Sequence, residues 1–220
     1  LRIKDENSDT TVTVVSMGPP QADVAMREAL AMGADEAILI SGREFGGSDT
    51  WATSYIIATA IKKIPDYDII FCGRQAIDGD TAQVGPQIAE QLNIPQITYV
   101  QKLDIEGDKV IVQRQLEDGY TVVEAKMPVL LTAIKELNTP RYMSLGGIMD
   151  CYSKPVSVLD YNALKDDPLI DPTTIGLKGS PTNIFKSFTP PQKGQGKMLE
   201  GADKATCDEL VAELQKKHII

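Results

Sequence analysis

Histidine is nearly absent from this sequence: the one copy, His218, stands close to the carboxyl terminus. A His-based triad or a multi-His metal site is therefore excluded, and no residue is assigned a general acid or base role. Cysteine is scarce too. Cys72, Cys151 and Cys207 lie far apart without CxxC spacing, and their odd number suits a reducing compartment, with the cytoplasm expected, better than a disulfide framework. Positive charge is in the minority, 22 Lys and Arg against 31 Asp and Glu for a net charge of -9. This argues against nucleic acid or an anionic membrane surface as partner, so any phosphate must be met locally. Long apolar runs are missing as well. Met127–Ile134 is strand-sized, and no membrane insertion is expected.

What remains, 220 residues with 42% hydrophobic and 24% charged, has room for one large α/β domain, or one domain with an extended arm. Leu1–Asn7 reads as the polar end of a helix, and residues upstream of it are expected. The β-branched stretch Thr10–Ser16 predicts a buried strand, Ala22–Met32 an amphipathic helix with Gly33 as its C-cap, and Ala37–Ile40 a second strand. That βαβ unit requires a parallel sheet with a right-handed crossover.

The glycine-rich loop Ser41–Thr50 follows, then a helix over Thr53–Lys63 and a strand over Asp66–Cys72. Asp49 or Thr50 can cap the helix and leave other amides free for a ligand. The alternative is a loop whose glycines serve only turn geometry.

The stretch Cys72–Pro86, CGRQAIDGDTAQVGP, lies between a strand and a helix, where free amides gather at the carboxyl edge of a parallel sheet. Asp80–Gln83 is patterned as a capping box. Pro86 predicts a tight turn over Asp80–Gly85 with the regular helix starting after it. The amides of Asp78 to Thr81 and the Arg74 guanidinium are the expected phosphate contacts. Asp78 and Asp80 could hold Mg²⁺ through a nucleotide, but the spacing is also routine turn chemistry, and no metal is assigned.

Hairpin signals at Glu106–Asp108 and Glu117–Gly119 predict antiparallel strands over Val100–Ile105, Lys109–Gln115 and Tyr120–Ala125. Val129–Ile134 then returns to the sheet interior. The expected architecture is α/β, a mixed, mainly parallel sheet with helices on both faces, over residues 1–150. Proline-punctuated residues 151–220 form an extended arm whose terminal helix, Lys204–Lys217, docks on a partner.

Cys72–Pro86 closely resembles the signature of the β subunit of electron-transfer flavoproteins. Ser16–Pro20, Ala29–Asp35, Leu137–Tyr142 and Gly179–Thr182 agree with it in order. The resemblance implies pairing with an α subunit that carries a flavin and receives the arm. It also implies nucleotide contacts from Met17, Gly73, Arg74, Gln75, Ala76, Ile77, Asp78, Gly79, Asp80, Thr81, Gln83 and Val84. The loop Gly42–Thr53 looks like the electron-bifurcating type, in which this site holds FAD and Asp49, Thr50 and Thr53 hydrogen-bond it. In that type NADH is the donor, and ferredoxin or flavodoxin and an acyl-CoA or related dehydrogenase are acceptors. Leu137, Pro140, Arg141 and Tyr142 resemble the loop that anchors on the dehydrogenase. Ordinary members hold structural AMP instead. An adenine-nucleotide sensor without a redox role is the third reading.

Overall fold

A computed structural model describes residues 1–220. The chain forms two compact units, Leu1–Asn183 and Ile184–Ile220. In the first, a short helix α1 (Arg2–Glu6) precedes β1 (Thr13–Met17), α2 (Asp23–Met32) and β2 (Glu36–Ile40). β1 and β2 run parallel, with Thr13 opposite Glu36 and Met17 opposite Ile40. Gly33, at φ 119°, closes α2 and sends its amide back to the last turn. Only glycine takes that left-handed geometry without strain.

The strand pattern decides which helix covers which face. Val12, Val14, Ala37 and Leu39 pack with Met26 and Leu30 of α2. Val15, Met17 and Ile40 pack with Ile56 and Ala60 of α3 (Thr50–Ile61). Successive strand residues point to opposite faces, so α2 and α3 cover opposite sides of this sheet.

The chain continues through β3 (Ile69–Gly73), α4 (Val84–Leu92), β4 (Gln96–Glu106), β5 (Lys109–Gln115), β6 (Tyr120–Lys126) and β7 (Val129–Ala133). These strands form a second sheet in the order β3-β7-β4-β5-β6. As expected, Val129–Ala133 returns to its interior, parallel to both β3 and β4, and the two hairpins are antiparallel. Leu130, Ile70 and Cys72 pack with Ile88 and Ala89 of α4 and Ala58 and Ile61 of α3. Val129, Leu131 and Ile69 belong instead to the cluster of Val100, Val110 and Val112. A helix pair therefore covers one face, and the hairpin strands share a core on the other.

The expected boundary at residue 150 falls inside this unit. After α5 (Leu145–Asp150), β8 (Val156–Leu159) pairs in parallel with β2, giving a first sheet β1-β2-β8. Beyond α6 (Tyr161–Leu164), Leu164, Ile170 and Ile175 are buried against α3, and α7 (Gly176–Gly179) follows. These apolar residues are too irregularly spaced to signal a core, yet each fills a place beside the first sheet. Four of the six strand pairings are parallel, so the fold is α/β with mainly parallel pairing, divided into two hydrogen-bonded sheets.

The second unit holds α8 (Lys204–Lys216), whose N-cap Asp203 accepts from the Thr206 amide at 2.9 Å. Lys197 reaches Glu209 at 2.7 Å and Glu213 at 3.1 Å. No side chain of α8 is buried, and Ile184, Phe185, Phe188 and Met198 are also exposed. No helix of the protein is long and apolar enough to cross a membrane.

Candidate functional site at the carboxyl ends of the parallel strands

β1, β2 and β3 end at Met17, Ile40 and Gly73, and the glycine loops leave from the last two. The Gly18 amide donates to the Ile40 carbonyl at 3.0 Å and the Ser41 amide to that of Leu159 at 3.0 Å, which fixes the origin of the second loop. Met17 is half-buried in the core beneath these loops, beside Val15 and Ile57.

In Gly73–Gln83 the tight turn falls earlier than the sequence suggests. It closes over Ala76–Asp80, where the Asp80 amide donates to the Ala76 carbonyl at 3.0 Å. Asp80 and Ala82 have φ of 50° and 53°, a left-handed geometry that aspartate tolerates better than most residues. The capping box does not form. Asp80 accepts from the Gln75 side-chain amide, while Gln83 is turned to the other loop, its Oε1 accepting from Thr50 Oγ1 at 2.9 Å. Helix α4 begins at Val84, before Pro86, because a proline in the first turn costs no helical bond.

Of the four amides assigned to phosphate, Gly79 donates to Asp78 Oδ1 at 2.9 Å and Asp80 to Ala76, leaving those of Asp78 and Thr81. Arg74, Ala76, Ile77, Asp78, Gly79, Asp80 and Thr81 are exposed, and Ile77 is uncovered entirely. Gly73 and Gly79 have nothing within 4 Å of where a Cβ would stand, so no neighbour in the chain requires glycine there. Open space beside an exposed guanidinium and two free amides suits the phosphates of a nucleotide.

In the second loop Phe45 is buried and anchors the turn Arg43–Phe45. Asp49 caps α3, its Oδ1 accepting from the Ala52 amide at 3.0 Å and its Oδ2 from the Thr182 amide at 2.9 Å. Both carboxylate oxygens thus serve the fold. Thr50 and Thr53 lie half-exposed in the first turn of α3. Trp51, 42% exposed, meets Tyr55 edge to face at 5.2 Å. The bond from Thr50 to Gln83 joins the two loops, so the residues assigned to a flavin and those assigned to the phosphates lie in one cluster.

The Cys72 thiol, one residue before the end of β3, is pushed up to about 11 by burial; it stays protonated near neutrality. Leu137 is half-buried against the cluster of Val100 and Leu131. Arg141 forms an ion pair with Asp5 of α1, which holds the Asp5 carboxyl below its usual range. Pro140 is exposed, and so is Tyr142, at 98%. The residues that sequence reasoning passed over are Leu145, Met149 and Tyr152, each about three-quarters exposed. Their signal is a run of large apolar side chains, from Tyr142 to Tyr152, in a polar, proline-punctuated stretch.

Fold and loops define an α/β protein whose loop cluster sits at the carboxyl ends of parallel strands. Among known proteins, residues 1–164 match the electron transfer flavoprotein domain. The acryloyl-CoA reductase electron transfer subunit gamma of Anaerotignum propionicum is 61% identical over 223 residues, covering all of this chain and 83% of that protein. The electron transfer flavoprotein subunit beta of Thermoanaerobacterium thermosaccharolyticum is 58% identical over 221 residues, with the same coverage. The caffeyl-CoA reductase-Etf complex subunit CarD of Acetobacterium woodii is 54% identical over 221, again spanning this whole chain and 83% of its own. The chain belongs to the electron transfer flavoprotein family, as a β subunit.

Proposed function

We propose that this chain is the β subunit of an electron-bifurcating electron-transfer flavoprotein, holding FAD as its nucleotide and paired with a flavin-carrying α subunit. NADH is the electron donor. The acceptors are a dehydrogenase or reductase of CoA thioesters, by way of the α subunit, and ferredoxin or flavodoxin. The bound flavin supplies the redox chemistry, taking electrons in a pair and giving them up singly. The complex works in the cytoplasm, and this chain is one redox subunit of it and no stand-alone enzyme.

One observation carries the reading: Thr50 at the head of α3 is hydrogen-bonded to Gln83 of the first loop, so one ligand can span both loops. Arg74 and the amides of Asp78 and Thr81 hold the phosphates; Gly73, Gly79 and Ile77 line the approach. Thr50 and Thr53 face the far end of the nucleotide. Asp49 acts by fixing the first turn of α3, since its own oxygens are engaged. The two relatives named for CoA-thioester reductases support a partner of that substrate class. Tyr142 and the exposed apolar side chains after it form the surface for it, a better candidate than half-buried Leu137.

The decisive experiment is nucleotide extraction from the purified heterodimer with a visible spectrum during NADH titration. Two FAD per heterodimer, with one bleached by NADH, is the expected result. One FAD plus one AMP, or no flavin reduction by NADH, refutes the bifurcating reading, and absence of any flavin leaves the sensor alternative.

A further inference from the structure

The second glycine loop is not held by its own bonds alone, which are those of the turn at Arg43–Phe45 and of Ser48 to the Phe45 carbonyl. Between Gly46 and Asp49 further polar groups are met by a segment about 130 residues later in the chain. Leu177 donates its amide to the Gly46 carbonyl at 3.1 Å, and the Gly176 amide reaches Ser48 Oγ at 3.0 Å. The Thr182 amide reaches Asp49 Oδ2. At the centre of these bonds stands Ser180, only 6% exposed. Its hydroxyl accepts from the Asp49 amide at 2.8 Å and faces the carbonyls of Gly176 at 2.7 Å and Gly47 at 3.3 Å.

The approach is too close to be incidental. A Cβ on Gly176, whose φ is 64°, would lie 2.3 Å from the Glu44 carbonyl oxygen, and one on Gly47, whose φ is 76°, would lie 3.0 Å from Leu177 Cβ. Backbone meets backbone here because both glycines lack a side chain. A hydroxyl suits position 180, because the part-buried Asp49 amide needs an acceptor while the facing carbonyls need a donor, and one serine supplies both.

We propose that Ser180 is a positioning residue for the nucleotide site: it latches the second loop and so fixes the first turn of α3, where Thr50 and Thr53 face the flavin end of the ligand. The inference rests on the reading that the site takes FAD. The latch reaches the first loop only at its far end, through the bond from Thr50 to Gln83; Arg74 and the amides of Asp78 and Thr81 make no bond to it, so the phosphate end of the site depends on it less than the flavin end does.

The heterodimer is prepared with the native sequence, with Ser180→Ala and with Ser180→Thr, freed of nucleotide, and titrated separately with FAD and with AMP. Loss of one buried hydroxyl that satisfies two groups should raise the Kd for FAD about tenfold. The Kd for AMP should stay within about twofold, and Ser180→Thr should restore FAD binding. Amide hydrogen exchange at Asp49 and Ala52 should quicken about tenfold in Ser180→Ala. Unchanged exchange overturns the latch, and so does an unchanged Kd for FAD. Equal losses for FAD and AMP also overturn it, since they would mark a general defect of the fold. A native heterodimer that binds AMP but never FAD removes the FAD reading, and with it the assigned role, whatever the exchange rates.

Discussion

Cys72 shows how position sets the chemistry of a side chain. The sequence places it at the end of a strand, and the structure packs it from the second sheet against α4, where desolvation opposes the thiolate. With the pKa near 11, only about one thiol in a thousand is ionised at pH 8. A thiol-titrating disulfide reagent at that pH should find exposed Cys207 first, and Cys72 should react at least about a hundredfold slower than in the denatured chain. Fast modification of Cys72 in a Cys207→Ser variant would contradict this. Leu137 teaches the converse lesson, because a motif position says nothing about exposure. It falls on the flank of the second sheet's core, whereas Tyr142, five residues on, is uncovered.

Among the elements, α3 and α4 flank the candidate site. Both were legible from apolar spacing, but α3 reads as one-sided and is in fact buried on almost every side, including Ser54 and Thr59. It lies between the first sheet and α4. The start of α4 departs from the capping-box expectation because local capping chemistry loses to a bond across loops: Gln83 serves Thr50, and Asp80 is drawn into its own left-handed turn. Gly85 in the first turn of α4 lies hard against β7. An added Cβ would stand 2.8 Å from Thr132 Cγ2 and 3.4 Å from Cys72 Cβ. Gly85→Ala should therefore destabilise the chain by about 1–3 kcal/mol, the usual penalty for overpacking, seen as a lower urea midpoint. An unchanged midpoint would mean that Thr132 can swing aside.

At the scale of the whole molecule, the proposed binding and docking roles fall on different segments of the chain. Arg74 is exposed in the first loop, and Tyr142 stands in the apolar stretch before β8. Arg74→Ala should weaken nucleotide retention about tenfold or more, as expected when a charge-assisted phosphate contact is lost. Its readout is the nucleotide content of the purified heterodimer. Tyr142→Ala should leave that content unchanged and slow electron delivery to the partner reductase several-fold, in the manner of an interface aromatic. The reverse pattern would interchange the two assignments.

The sequence by itself determined the α/β class, the parallel pairing of the first two strands, the hairpins and the resemblance carried by Cys72–Pro86. Each of these rests on local periodicity, turn residues or a contiguous motif. The tertiary structure decided the rest: the division into two sheets, β8 joining β2, the burial of Leu164, Ile170 and Ile175, and the latch from Ser180 to Asp49. These depend on contacts between residues more than a hundred positions apart or on scattered single side chains. No window of the sequence contains both partners, and only the folded chain brings them within hydrogen-bonding distance.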